Sequence, residues 1–352
     1  MRAAVFRAVG QLLVLEERPR PSAESGEIVV KVAFSGICGS DLHATEPNLA
    51  HLEPGTILGH EFSGVVAEST VPEWTPGDRV IGIPLRECDE CRSHGSCRDD
   101  LGILCPKNQI VGMSVAVPGS YAEFVRLGAR HALRIPDAIS LLAATLAEPL
   151  AVGAHAVRMA GPLTGRHVTV VGAGPIGLAV IIFARNAGAR SITVSEIDPT
   201  KRARALQLGA TATVDPISER LQDALMRSSP PEVIFECVGI PGLLQDCISI
   251  APVRGRIMVV GVNRSEDVIL PRVAIRKELS LQFVLGYQNE DFVLVLDLMA
   301  QGRIDAEALV TRVIPLDDLP MTFEQLRKPG PDAKVLIDPW GDFASFGSRR
   351  RA

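Results

Sequence analysis

The sequence predicts an α/β protein of two domains, a small antiparallel β-barrel and a doubly wound parallel sheet. Three observations predict it. At 352 residues with 47% hydrophobic content the chain exceeds one ordinary domain and can fill two cores. From Val168 onward short apolar strands alternate with stretches of helical period, the pattern of a parallel α/β sheet. From Glu27 to Val80 short apolar runs alternate instead with Gly and Pro, as in a barrel of antiparallel strands.

Taken in order, MRAAVFRAVGQLLVLEERPRP reads as a hairpin through Gly10. It is too short and too interrupted for a signal peptide or a membrane span, and no later apolar run is long enough to cross a bilayer, so a cytoplasmic protein is expected. The runs IVVKVAFSG, ILGHEFSGVVAE and GDRVIGIP supply the barrel strands. Two candidate sites lie among them, at Cys38-Gly39-Ser40-Asp41-Leu42-His43 and at Gly59-His60-Glu61. A single Cys or His is ordinarily a core residue. Together, a thiolate, an imidazole and carboxylates beside glycines that permit close backbone approach are the mixed donor set of a catalytic zinc.

Seven cysteines occur, and four of them, Cys88, Cys91, Cys97 and Cys105, share one Gly- and Asp-rich loop. Four thiolates so spaced can close a tetrahedral structural zinc with no open position, with His94 an alternative ligand and a disulfide pair the competing reading. Val111 to Pro136 returns to strands, and Ser140 to Ala160 reads as one helix. Glu148 interrupts its apolar run. A buried carboxylate there needs a partner, either a metal or metal-bound water, or else the N-terminus of a helix starting at Pro149.

The segment Val168 to Asp198 is the most informative. Four apolar strand residues run into Gly172, Gly174 and Gly177 in the spacing G-x-G-x-x-G; Pro175 and Ile176 open a helix that Gly188 closes, and a second strand ends at Glu196. That order places a pyrophosphate at a helix N-terminus and Glu196 at the adenosine ribose, so a dinucleotide is the expected cofactor. The Glu196 carboxylate favours NAD over NADP, although Lys201 and Arg202 follow closely. Further strands at Ala212 to Val214, Val233 to Glu236, Arg256 to Gly261 and Leu281 to Leu285 complete a six-stranded count. The loops at Cys237-Val238-Gly239, Gly261-Val262 and Leu285-Gly286-Tyr287 are expected to line the crevice at the strands' carboxyl ends. Cys237 and Cys247 have no metal spacing and read as small apolar residues.

After Tyr287 the pattern changes to a helix (Asp291 to Gln301) with strand-like VTRVIPL and AKVLIDP pieces around another helix. The nucleotide domain, residues 153–286, therefore reads as an insertion into a first domain made of 1–152 and 287–340, with 341–352 a solvated tail. A net charge of -5 without a long single-sign run gives no footprint for nucleic acid or an anionic membrane.

GICGSDLH, GHEFSG, the cysteine-rich loop, AEPLAV, VVGAGPIG and DAKVLIDP together resemble, in this order and to about Pro339, the zinc-dependent medium-chain dehydrogenases. Glu148, where alcohol dehydrogenases proper usually have cysteine, makes the chain more similar to the sorbitol, butanediol and threonine dehydrogenase branch. The resemblance implies a GroES-like barrel domain holding zinc and a Rossmann domain holding NAD. It implies Cys38 and His60 as catalytic zinc ligands, with Glu61, Glu148 or both completing the shell directly or through water. Asp41 then orients His60, Ser40 meets the substrate hydroxyl and His43 passes the proton outward. The chain departs from the family pattern in three places. Five residues separate its second and third loop cysteines instead of two, ESTVPEWTPGDRV is short, and Gly286-Tyr287 stands where sorbitol dehydrogenases carry arginine.

The implied activity is hydride transfer between NAD and a secondary alcohol, a diol or polyol, in a homodimer or homotetramer pairing through an edge strand near Ile257 to Val260. The competing expectations are an NADPH-dependent aldehyde or ketone reductase of the same fold, and a non-catalytic dinucleotide-binding scaffold.

Overall fold

Glu27–Gly36 is a ten-residue strand with eight buried residues, and it forms the spine of the first unit. It pairs with Lys334–Asp338 at one end, with Glu61–Ser69 along its length, and with Phe124–Gly128 on its remaining edge. The computed structural model that shows this describes residues 1–47, 52–86, 102–226 and 229–341. The full sheet runs Val310–Pro315, Lys334–Asp338, Glu27–Gly36, Glu61–Ser69, Arg79–Gly82, Ala132–Arg134 in space. All its pairs are antiparallel except Val310–Pro315 with Lys334–Asp338. The N-terminal hairpin pairs Arg2–Val5 with Val14–Glu17, and Gly10 lies between them at φ 75. Two apolar clusters fill the unit, one around Phe6, Leu58, Tyr121 and Phe323, the other around Phe62, Trp74 and Val80. The chain divides into two units, Met1–Glu148 with Gln288–Ala352, and Pro149–Tyr287.

The stretch 140–160, read from sequence as one helix, is two. Ser140 caps Leu141–Thr145 by accepting from the Ala143 amide at 3.0 Å, and a second helix runs Ala147–Met159. Pro149 is the reason: it has no amide hydrogen to return to the Thr145 carbonyl, so it fits only in a first turn, where that bond is missing anyway. Glu148 therefore sits within the opening turn, and the helix starts two residues before Pro149.

The second unit is a six-stranded parallel sheet in the order Ala212–Val214, Ser191–Ser195, His167–Val171, Val233–Glu236, Arg256–Val259, Ser280–Phe283. This order corrects one expectation. Residues 257–260 are not at the edge, because Arg256–Val259 pairs on both sides; the edge strands are Ala212–Val214 and, on this side, Ser280–Phe283. A doubly wound sheet adds strands outward from its first, so the last strand in sequence ends outside. Beside that edge Phe283 is 72% and Ile275 74% exposed.

Cys88, Cys91, Cys97 and His94 lie outside the described residues, as does the tail beyond Gly341; Cys105 is buried. No helix among the described residues is long and apolar enough to cross a membrane.

Candidate active site

Three strand ends of the first sheet build the cluster. Glu27–Gly36 ends two residues before Cys38, Glu61–Ser69 begins at Glu61 beside His60, and Lys334–Asp338 begins at Lys334. Gly36 and Glu61 face each other across the sheet, and a Cβ on Gly36 would overlap the Glu61 carboxylate, so only glycine leaves room for it. Potential ligand atoms of Cys38, His60 and Glu61 all lie within 4.8 Å of one another, and this is the group of metal-capable side chains found among the described residues.

His60 is held one-sidedly. Its Nδ1 lies 3.2 Å from Asp41 Oδ1, in an arrangement too bent for a well-formed hydrogen bond, so two buried polar atoms have only each other. The Nε2 edge is then the one open to a metal, and Ser40 Oγ lies 3.3 Å from it. The other Asp41 oxygen accepts from the Tyr121 hydroxyl at 2.6 Å and from the Cys38 amide at 3.3 Å. Burial opposes the charge on Asp41, but His60, Tyr121 and the Cys38 amide together hold its carboxyl below the usual range. Burial likewise opposes a charged His60, and the combined pull of Asp41 and Cys38 outweighs it, raising the imidazole's affinity for a proton.

Glu61, fully buried, is gripped by Lys334, whose Nζ lies 2.6 and 2.7 Å from its two oxygens and also donates to the Ile37 carbonyl. Burial works against the charge on Lys334, while Glu61, Cys38 and Glu148 raise its pKa. Glu148 is 8% exposed and near enough to contribute to that field, but it is not part of the close cluster. His43 is outside it too: half-exposed, with Nδ1 2.9 Å from Glu46. Sequence reasoning missed Lys334 and Tyr121. The available signals were a lysine opening the apolar run VLI of the strand KVLID and a tyrosine in the small-residue run GSYA.

In the second unit the helix Pro175–Asn186 follows the glycine turn with Gly174 at its N-cap and no side chain capping it, so its first amides are left for a ligand. A Cβ on Gly174 would meet nothing within 4 Å, whereas one on Gly177 would overlap the Gly172 carbonyl: the first leaves space, the second closes helix on strand. Gly172 itself sits at φ 94. Glu196 accepts from the Ala173 amide at 2.8 Å and the Asp198 amide at 2.9 Å, which ties its carboxylate to the glycine turn. Val238, Val262 and Leu285 are exposed at 42, 62 and 54%, Lys201 is half-buried and Tyr287 is buried. Gly239 and Gly261 touch backbone to backbone, so the loops after the fourth and fifth strands in sequence form one continuous wall. Gly286 follows at φ 61.

A thiol, imidazole and carboxylate cluster in one unit and a dinucleotide fingerprint in the other define a metal-dependent, nicotinamide-linked oxidoreductase. Residues 24–137 match the alcohol dehydrogenase GroES-like domain, and 175–301 match the zinc-binding dehydrogenase domain. The chain belongs to the zinc-dependent medium-chain alcohol dehydrogenase family, whose members act on CH–OH donors. It is 31% identical to the (R,R)-butanediol dehydrogenase of Bacillus subtilis (strain 168), over 92% of this chain and 96% of that one. It is 30% identical to the L-threonine 3-dehydrogenase of Rhizobium etli (strain CIAT 652), over 96% and 98%. A zinc-binding dehydrogenase from Sinorhizobium meliloti 1021, solved bound to NADP, superposes with a TM-score of 0.86 at 29% identity, covering 96% of this chain and 99% of that one.

Proposed function

We propose that the chain is an NAD-linked dehydrogenase of secondary alcohols bearing a neighbouring hydroxyl, vicinal diols or polyols, and that Cys38, His60 and Glu61 hold its catalytic zinc. The observation that carries this reading is the one-sided histidine, with Nδ1 turned to Asp41 and Nε2 toward Ser40, and with Cys38 and Glu61 offering ligand atoms within 4.8 Å. Zinc bound there supplies Lewis acidity, which brings a hydroxyl's pKa toward neutrality, and the nicotinamide supplies the hydride acceptor. Ser40 would take the substrate's hydroxyl proton as it gives up its own toward solvent, and His43, one turn along the helix Gly39–Ala44 and half-exposed, is the group that would pass that proton out. Glu148, buried near the cluster, is the further carboxylate that completes the shell through water or directly. A second zinc, held by Cys88, Cys91, Cys97 and Cys105, is proposed to brace the cysteine loop.

For the cofactor, NAD is favoured because Arg202 is already engaged. Its guanidinium donates to the Glu196 and Ile197 carbonyls at 2.7 and 2.8 Å and lies 3.5 Å from Asp215, leaving Lys201 to meet a 2′-phosphate beside the Glu196 carboxylate. A second copy of the chain is proposed to pair along Ser280–Phe283, whose outer edge and exposed Phe283 are uncovered in the monomer.

The test is turnover of NAD with stereoisomers of 2,3-butanediol, sugar alcohols, L-threonine and simple secondary alcohols, before and after zinc removal. Turnover of the diols that stops on chelation and returns with zinc supports the reading. A preference for NADPH with aldehydes favours the reductase alternative, and a protein that holds zinc but turns over nothing across the panel counts against the diol assignment.

A further inference from the structure

Tyr121 is fully buried, eighty positions along the chain from the carboxylate it touches, and is fixed from several sides. Its amide donates to the Leu58 carbonyl at 2.9 Å, Ser120 donates to Gly59 at 2.9 Å, and Gly119 donates to Ile57 at 2.7 Å, so the segment runs against the residues leading into His60. Gly59, at φ 94, has no Cβ, and one placed there would overlap the Tyr121 ring. Phe323 meets the ring edge-on with centroids 6.4 Å apart. The hydroxyl therefore has one place to be, 2.6 Å from Asp41 Oδ2. Asp41 cannot turn without breaking that bond or the one from the Cys38 amide, and its remaining oxygen is the atom that faces His60 Nδ1.

We propose that Tyr121 is a positioning residue for the metal: by clamping Asp41 it fixes the plane of the His60 imidazole and so governs how firmly the Cys38, His60 and Glu61 cluster retains its ion. The inference rests on the zinc reading above. Partners behind a metal-ligating histidine usually change metal affinity tenfold or more when removed, because the ligand loses its orientation. Tyr121 would extend that line one residue further, from His60 through Asp41 to a ring locked in the apolar core. A purely structural tyrosine would fill the same space and leave the ion indifferent to its hydroxyl.

Tyr121→Phe separates the two, since it keeps the ring, the Phe323 contact and the fit over Gly59. The measurement is zinc release from the full-length protein to a coloured chelator, with His60→Ala run alongside to identify which zinc belongs to this cluster. The expected result is release of that zinc roughly ten times faster, or affinity roughly ten times weaker, with the zinc-loaded protein still folded and its melting temperature lower by only a few degrees, as the weaker zinc and the lost bond require. Cobalt(II) in the same site should show shifted visible absorption bands. In an Asp41→Asn background the same change should have little further effect, because the line is already cut. Unchanged zinc release and cobalt bands in Tyr121→Phe would overturn the proposal, as would an equal loss in both backgrounds. If wild type and His60→Ala hold the same zinc, the metal reading itself fails, and this inference falls with it.

Discussion

Lys334→Met tests the electrostatics of the cluster most sharply. The Lys334 ammonium is 3% exposed and Glu61 is fully buried, with Nζ bound to both carboxylate oxygens at 2.6 and 2.7 Å. Methionine keeps the volume and removes the charge, leaving Glu61 buried beside Cys38 and His60 with its counter-ion gone. Breaking a buried pair from one side costs about 3–5 kcal/mol. At about 2–4 °C per kcal/mol for a unit of this size, the metal-free protein should melt roughly 6–20 °C lower. Zinc changes the sign of Glu61's surroundings, so the loss should be distinctly smaller in the zinc-loaded protein. Lys334→Met with Glu61→Gln should recover most of the loss, because the uncompensated charge is gone. The assay is calorimetry of the three proteins with and without zinc. Equal losses in the loaded and stripped forms, or no recovery in the double variant, would refute the account of Glu61 as a carboxylate shared between lysine and metal.

Other outcomes follow from the same geometry. Cys38→Ser should lose the cluster's zinc and the activity while keeping the far-ultraviolet circular dichroism of wild type; a zinc-free, active variant would contradict the ligand assignment. Gly177→Ala drives a Cβ into the Gly172 carbonyl, so it should destabilise the second unit by about 1–3 kcal/mol and weaken NADH binding, measured by fluorescence titration. Asp198 caps the helix Pro199–Leu208 by accepting from Thr200 and Lys201, and these bonds, the Lys201 amide foremost, hold its carboxyl below the ordinary value of 3.8. Its contribution is complete above that value and is lost as pH falls through the lower folded one, so only strong acid should loosen this helix. Accordingly Asp198→Ala should cost about 0.5–2 kcal/mol at neutral pH and Asp198→Asn much less, read by urea denaturation. Phe283→Asp should shift the sedimentation of the protein to a smaller species if Ser280–Phe283 is the pairing edge.

Much of this architecture was legible because its signals are local. The glycine turn, its helix and the acid ending the next strand fall within thirty-odd residues, and periodicity alone placed strands such as Ala212–Val214 and Val233–Glu236. GICGSDLH and GHEFSG likewise marked side chains that the fold brings together, because thiol, imidazole and carboxylate are scarce beside glycine in a barrel. Failures came where the deciding partner was distant. Nothing near Lys334 reveals that its ammonium reaches Glu61, 273 positions away, and nothing near Tyr121 reveals Asp41. The edge strand was misplaced because strand order is a property of the winding, and Arg256–Val259 and Ser280–Phe283 look alike as sequence. The helix break before Ala147 was a local matter, overlooked because Pro149 is compatible with either start.

The most direct test of the central claim is diffraction data collected on either side of the zinc absorption edge from crystals of the active protein. The account predicts an anomalous peak within bonding distance of Cys38 Sγ and His60 Nε2, absent in Cys38→Ser. Active crystals with no zinc peak at that position would contradict it.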